Sequence, residues 1–161
     1  MATTYEKIAE VTVGGGGAAT IQFTSIPATY TDLLIKSSAL GNNTEGIYIQ
    51  FNGSTANFSG IYINSDSVNT PGSASLARYL GSIRNETQTP NSTDVYICNY
   101  TSSNNKSFSS DNVQEFSGAG GFINLVTGLW SNSAAITSIT IETVSNFRQY
   151  STAYLYGIKK N

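Results

Sequence analysis

Few side chains in this chain are of the types that carry out catalysis. The 161 residues contain no histidine and a single cysteine, Cys98. Without histidine, the Ser-His-Asp and Cys-His arrangements and most zinc sites are excluded. One cysteine forms no intrachain disulfide, and there is no histidine to activate its thiol. We therefore expect Cys98 to be a small, buried residue of a strand.

The carboxylates are too dispersed along the chain to indicate an acid–base pair. No two of the ten Asp and Glu residues lie within three positions of each other, whereas a glycosidase needs two carboxylates about 5 to 9.5 Å apart. We predict that the protein is not an enzyme and has no catalytic residues, no cofactor and no metal. One alternative stays open, a structural calcium ion held by loop carbonyls and one of four acids, Asp32, Asp66, Asp94 or Asp111.

Aromatic side chains are the remaining candidates for a binding site. The chain has ten Tyr, seven Phe and one Trp, and most aromatic residues of a small β-domain pack in the core or on the faces of the sheets. An exposed Tyr or Trp would instead offer a platform for a sugar ring. The candidates for such a ligand-binding platform are Tyr62, Tyr100 and Trp130. For each of them the alternative is a packed or interface aromatic residue.

Charged residues are sparse and nearly balanced. Eight Lys and Arg against ten Asp and Glu give a formal net charge of −2. We predict no nucleic-acid partner, because neutralising phosphates takes clustered basic residues. Residues 1–7 lack the apolar segment of a signal peptide, and no run approaches the roughly 18 apolar residues of a membrane span. We therefore expect synthesis in a cytoplasm and no membrane partner.

Apolar and polar residues alternate with a period of two through much of the chain, which predicts β-strands. The clearest run covers residues 46–52, where Ile47, Ile49 and Phe51 share one face. Nine or ten short strands separated by turn residues predict an all-β fold without significant helix, namely a jelly-roll-like antiparallel β-sandwich. The whole chain, residues 1–161, is predicted to be one domain, with residues 1–7 as an extended N-terminal arm.

Residues 20–40 contain two of these predicted strands on either side of Pro27. The four glycines at residues 14–17 precede them and are predicted to form a hairpin loop. A phosphate-binding loop is the alternative, but the residues that follow alternate as a strand does and do not open a helix. Residues 94–100 are predicted as a strand with Tyr96, Cys98 and Tyr100 on the face opposite to Val95.

Several segments resemble, in their order and spacing, a class of structural proteins from the virions of tailed phages. The segments are FTSIP at residues 23–27, YTDL at 30–33, IQFNG at 49–53, ITSITI at 136–141, Ser151, and LYGI at 155–158. Together they span most of the chain. The intervening residues 65–121 do not take part in the resemblance, and we expect any specific partner to be met there.

The resemblance implies a virion component with a sandwich domain and no catalytic residues. We expect a capsid decoration protein, of the cement or knob type, on the surface of the phage head. The alternatives are a tail or tail-fibre component and a module that binds a host glycan. The implied partners are the major capsid protein or other virion proteins, together with further copies of the chain. The implied location is the virion, after synthesis in the cytoplasm of the host cell.

Overall fold

A computed structural model describes residues 4–66, 72–85, 89–116 and 120–159, and in these ranges it contains twelve strands and no helix. The strands are β1 (Tyr5–Thr12), β2 (Ala18–Phe23), β3 (Asp32–Ala39), β4 (Glu45–Phe51), β5 (Phe58–Asp66), β6 (Gly72–Ser75), β7 (Tyr79–Ile83), β8 (Asn91–Ile97), β9 (Lys106–Phe116), β10 (Gly120–Trp130), β11 (Ile139–Phe147) and β12 (Thr152–Ile158).

The strands form two antiparallel sheets that pack as a sandwich. The larger sheet has the order β1-β12-β3-β8-β9-β10-β5-β6, and the smaller has the order β2-β11-β4-β7. Strand accounts for about 64% of the described residues. Side chains from both sheets meet in one hydrophobic core, because each strand turns every second residue inward. The prediction of an all-β antiparallel sandwich is confirmed.

The strand order indicates how the sandwich is wound. If the hairpins β5–β6 and β9–β10 are set aside, two sheets of four strands remain, in the orders β1-β12-β3-β8 and β2-β11-β4-β7. Most successive strands then lie in opposite sheets, which is compatible with a jelly roll. The two hairpins lie side by side as β9-β10-β5-β6 and extend the larger sheet at one end. We call these four strands the wing.

The number of strands exceeds the predicted nine or ten because the wing is larger than the sequence pattern indicates. β6 lies in residues 65–75, which the polar composition predicts as a loop. β9 has eleven residues, where the pattern predicts only a short edge strand near residues 106–110. Its inward side chains beyond Phe108 are polar (Ser110, Asn112 and Gln114), so no apolar alternation marks the second half of the strand.

The glycine segment at residues 14–17 is not a hairpin loop, contrary to the prediction. β1 pairs with β12 and β2 pairs with β11, so the segment carries the chain from the larger sheet to the smaller one. Gly17 has a φ of 76°, and a Cβ there would lie 2.7 Å from the carbonyl oxygen of Phe147. Local turn residues predict that a strand ends, but they do not indicate which sheet receives the next one.

The predicted N-terminal arm is part of the sheet from Tyr5 onward. β1 pairs with β12 from Tyr5 to Thr12, with a bulge between Lys7 and Ala9. The sheet supplies the backbone hydrogen bonds that an extended arm would leave to solvent. Residues 1–3 lie outside the described residues.

The segments that carry the phage resemblance contact one another in the structure. The ring of Tyr30 covers Gly157, where a Cβ would lie 2.3 Å from Tyr30 Cγ. Asn52, which directly follows β4, accepts hydrogen bonds on Oδ1 from the backbone N–H of Thr137 (2.8 Å) and of Ser138 (3.1 Å). Its Nδ2 donates to the carbonyl oxygen of Ala135 (2.8 Å). These residues therefore have structural roles that join distant parts of the chain.

The interior between β7 and the wing is polar. Asn112 Nδ2 donates to Asn91 Oδ1 (2.9 Å) and to Thr93 Oγ1 (2.7 Å), and Asn112 Oδ1 accepts from Asn124 Nδ2 (3.0 Å). The Tyr79 hydroxyl donates to Asn124 Oδ1 (3.4 Å). All five side chains are buried. Because the groups satisfy one another, the network holds three neighbouring strands of the larger sheet in one register.

Candidate functional site

Two of the three predicted platform residues lie in the core. Trp130 is 1% exposed and Tyr100 is fully buried, so neither is available to stack on a sugar. Trp130 packs on Phe51 and Phe58, with ring centroids 5.5 and 6.0 Å away. Tyr62 is half-buried against a second tyrosine ring whose centroid is 4.8 Å away. All three residues fit the alternative interpretation, which is that of packed aromatic side chains.

Tyr100 is buried because the backbone leaves the strand geometry before it. β8 ends at Ile97, and Asn99 has a φ of 47°, which breaks the alternation of inward and outward residues. The Tyr100 hydroxyl donates to the carbonyl oxygen of Pro27. Cys98 is half-buried rather than buried, and it lies just after the strand instead of within it.

Exposed aromatic residues lie on the outer face of the larger sheet. Tyr5, Leu34, Lys36 and Tyr156 line a shallow cavity of about 430 Å³ there, which we call the tyrosine groove. They come from the three adjacent strands β1, β3 and β12. Leu34 lies opposite Tyr156 in the strand register, and on its other side it lies opposite Tyr96 of β8. The groove is therefore lined mainly by aromatic and aliphatic side chains.

The alternation of β3 explains why Leu34 and Lys36 reach this face. Leu33 and Ile35 are buried in the core, so their neighbours in the strand point to the opposite side of the sheet. The sequence pattern predicts this division of β3 correctly. The smaller sheet covers only the inner face, and within the described residues no further layer covers the outer one.

The charged and hydroxyl groups next to the tyrosine groove are paired. Lys36 donates to the carboxylate of Asp94 on the neighbouring strand. The Tyr96 hydroxyl donates to Asp32 Oδ2 (2.7 Å), while Asp32 Oδ1 accepts from the backbone N–H of Asn99 (2.7 Å). The hydrogen bond to Asp32, with a contribution from burial, raises the pKa of Tyr96 to about 12. Tyr96 is therefore neutral and a hydrogen-bond donor at neutral pH.

A second polar cluster fastens β1, which supplies Tyr5 to the groove. Glu6 accepts hydrogen bonds from Lys159 Nζ (2.7 Å) and from the Tyr30 hydroxyl (2.8 Å). The Lys159 hydrogen bond lowers the pKa of the Glu6 carboxyl, and the Tyr30 hydrogen bond lowers it further. The same contact with Glu6 raises the pKa of Lys159. Ionised Glu6 thus ties β1 to the end of β12.

The attachment of β1 is expected to weaken in acid. A carboxyl group whose pKa is lowered by folding stabilises the fold above its unfolded-state pKa of about 4.3, and this stabilisation is lost as the pH falls through the folded-state value. The difference in free energy of unfolding between the wild type and Glu6→Gln should therefore be present near pH 6 and shrink towards about pH 3. Urea denaturation followed by circular dichroism at several pH values measures it.

Glu115→Gln, at an exposed position of β9, controls for the change in net charge. If the free energy of unfolding of the wild type exceeds that of Glu6→Gln by the same amount at each pH, a role for ionised Glu6 is contradicted.

The acids considered for calcium do not cluster with one another in the described part of the chain. There, no group of three or more His, Cys, Asp and Glu side chains could hold a metal ion. Asp32 and Asp94 are engaged in the contacts above, and Asp111 lies opposite Asp94 in the register. The side chain of Asp66 lies outside the described part. The same ranges contain no helix that is long and apolar enough to cross a membrane.

A buried lysine closes one end of the sandwich. Lys106 has no exposed surface, and its Nζ donates to the carbonyl oxygens of Ser102 (2.7 Å), Asn104 and Asn132 (3.4 Å). Burial lowers the pKa of this amine. Because solvent does not reach the amine, we assign it to holding together the loops that precede β9 and follow β10.

The composition of the tyrosine groove suits it to binding. Aromatic rings offer apolar contact area that is pre-ordered, and the neighbouring Lys36–Asp94 pair offers a donor and an acceptor. Sequence reasoning did not single out Tyr5, Tyr96 or Tyr156. Their alternation in β1, β8 and β12 is visible in the sequence, but alternation does not reveal which face of a strand the second sheet covers.

Comparison with known proteins identified no relative of this chain. No protein-family model, curated protein or solved structure matches this chain.

Proposed function

We propose that this chain is a non-enzymatic structural protein of a tailed-phage virion and that it decorates the surface of the phage head. Its partners are then the major capsid protein or other virion proteins. Two things support the proposal. The first is the resemblance, whose segments build the sandwich. The second, which carries the docking mechanism, is the tyrosine groove beside the unpaired edge of β1.

The position of β1 makes this region suitable for docking. β1 is the last strand of the larger sheet, so no strand of the described residues pairs with the outer side of its backbone, and a strand of another protein can add there. The adjacent groove offers apolar surface to the side chains of the added strand.

The proposed action is stabilisation by binding rather than chemistry. A protein that binds the assembled shell but not its dissociated subunits favours the assembled state by mass action. The fold suits such a role, and we infer that it is a jelly roll whose larger sheet is extended by two inserted hairpins. The small number of charges leaves a surface of hydroxyl and amide groups towards solvent.

Binding to particles that lack the protein tests the proposal. Purified wild type should co-sediment with such heads. Tyr5→Ser and Tyr156→Ser should each raise the Kd by about tenfold or more, because each removes an aromatic contact from the groove. Tyr150→Ser is the matched control, since Tyr150 is 77% exposed but lies at the connection between β11 and β12. It should bind as the wild type does.

Three results would count against the proposal in different ways. Failure of the wild type to bind heads would overturn the decoration role. Binding to isolated tails instead would favour the tail or tail-fibre alternative. Head binding that is unchanged in both groove variants would leave the role standing and remove the groove from it.

A glycan-binding module is the second candidate, and the same groove favours it. Exposed Tyr5 lies near the Lys36–Asp94 pair, whose charged groups are able to donate to and accept from sugar hydroxyls. On a glycan array, the wild type should then bind a defined set of glycans, and Tyr5→Ser should lose that binding while Tyr150→Ser keeps it. A wild type that binds no glycan on the array would contradict this candidate.

A further inference from the structure

The wing exposes an aliphatic surface that the functions proposed above do not use. Five aliphatic side chains of β9, β10 and β5 point outward, each with 41 to 59% of its surface exposed. We call them the aliphatic face: Val113, Ile123, Leu125, Ile61 and Ile63. By contrast, the outward positions next to them on β8 carry Ser92, Asp94 and Tyr96.

The strand register makes the aliphatic face contiguous. Val113 lies opposite Ile123, and Leu125 lies opposite Ile63, on three adjacent strands. Ile61 lies two residues before Ile63 in β5, so its side chain points to the same side of the sheet. The five side chains together expose roughly 450 Å² of apolar surface, which is within the range for the largest patch on a monomer. The largest apolar patch of a monomer is often functional, so this face is a candidate interaction surface.

The charges around the aliphatic face indicate which class of partner binds it. The outward positions of β9, β10 and β5 in the described part contain no Lys or Arg, so the face lacks the cations that bind nucleic acid or an anionic membrane. The charged residues at these outward positions are two acids of β9, Asp111 and Glu115. Around the aliphatic centre lie hydroxyl side chains, including Ser59, Ser109 and Thr127. An apolar centre with a neutral polar rim is typical of protein–protein interfaces.

The area fits a second copy of the chain. The aliphatic face and its hydroxyl rim, together with the exposed short strand β6, offer roughly the 600 Å² per copy that a specific interface at the lower size limit needs. Two such surfaces reach the lower limit of about 1,200 Å² for a specific interface. A two-fold pair covers both aliphatic faces at once, so neither stays exposed to solvent.

We propose that two copies of this chain pack wing to wing through the aliphatic face, with a two-fold axis that runs along β10. Such an axis places β9 of each copy over β5 of the other. Asp111, Leu125 and Ile63 lie in one row across the three strands, so Asp111 of one copy comes to lie over Ile63 of the other. The acids of the two β9 strands therefore do not meet. This pairing does not depend on the proposed virion role.

Analytical ultracentrifugation of the purified chain tests the pairing. The wild type should sediment at twice the mass of one chain, with a Kd in the micromolar range that an interface near the lower size limit supports. Ile63→Asp should raise the Kd by about 100-fold or more, since it places a buried charge against Asp111. Val144→Asp is the matched control, because Val144 is 82% exposed on the smaller sheet. It should dimerise as the wild type does.

Reversing the charge at the same position tests the orientation. Ile63→Lys should associate about tenfold more tightly than Ile63→Asp, because its ammonium group lies opposite Asp111 of the other copy. If the two variants associate equally weakly, the axis along β10 is wrong. Ile61→Thr, which keeps the β-branched shape of the side chain, gives a milder variant whose fold is verified by its thermal melt. It should also weaken the dimer.

A wild type that stays monomeric at about 200 µM would overturn the pairing, since a micromolar dimer is almost complete at that concentration. So would a folded Ile61→Thr or Ile63→Asp that dimerises as the wild type does. An equal loss in Val144→Asp would also overturn it, because that substitution does not touch the wing.

Discussion

Replacing Trp130 by alanine is expected to lower the free energy of unfolding by about 3–5 kcal/mol. The side chain is 1% exposed and packs on Phe51 from the smaller sheet and Phe58 from the larger one. The substitution therefore leaves a cavity between the sheets that the strands on either side cannot close. Guanidinium denaturation followed by far-UV circular dichroism measures the loss, because Trp130 is the one tryptophan in the chain and its fluorescence disappears with it.

Trp130→Phe shows how much of this loss of stability comes from aromatic packing. The indole Nε1 is buried and has no hydrogen-bond partner among the described residues, so its removal leaves no partner group unpaired. Phenylalanine keeps an aromatic contact with the neighbouring rings, and we expect it to cost about 1–2 kcal/mol. Equal losses for the two variants would contradict the role of ring packing, and so would a loss under about 1 kcal/mol for the alanine variant.

Replacing Asn112 by alanine is the substitution with the second-largest expected effect, a loss of about 2–4 kcal/mol. The side chain donates two hydrogen bonds and accepts one inside the sandwich. Its removal leaves the Nδ2 group of Asn124 buried without that acceptor, and a buried polar group without a partner is destabilising. Asn104→Ala, at an exposed position in the loop before β9, is the matched control and should change stability by less than about 0.5 kcal/mol.

A double-mutant cycle with Gly81 shows whether Asn112 occupies the space that the structure assigns to it. A Cβ on Gly81 would lie 2.3 Å from Asn112 Cγ, and Gly81 has a φ of 146°. Gly81→Ala is therefore destabilising through both a clash and backbone strain. Asn112→Ala removes the contacts with Cγ and Nδ2 but keeps the Cβ of residue 112, 2.5 Å from the added carbon. It therefore relieves part of the clash and none of the strain, and the double variant should be more stable than the sum of the single losses implies. Strict additivity would contradict this contact.

The strands that bury one apolar face are the part of the fold that is predictable from the sequence. In β4, the alternation at residues 46–52 predicts that Ile47, Ile49 and Phe51 point into the core, and all three are buried. The prediction succeeds because a strand has a period of two, so burying one face requires apolar residues at every second position. β3 and β12 follow the same rule.

The wing was not predictable in this way because its inward residues are mostly polar. Burial of Asn112 and Gln114 in β9 is tolerated only where partners satisfy their hydrogen bonds. Those of Asn112 come from β8 and β10, and those of Gln114 come from the backbone of Arg84 and Thr89. Lys106 is buried for the same reason, since carbonyl groups from two loops surround its amine. The local sequence of β9 does not predict these hydrogen-bond partners, which lie in other strands and loops.

The candidate site shows the same division between local and long-range information. Alternation sorts the residues of each strand into two faces, and turn residues mark where strands end. Which face is covered depends on strands far away in the chain, so Tyr100 and Trp130 are interior residues while Tyr5 and Tyr156 line an open groove. Residues 20–40 likewise show two strands around Pro27, but only pairing with β11 and β12 assigns them to opposite sheets. A strand carries its period within itself, whereas its partners and its exposure arise when the sheets assemble.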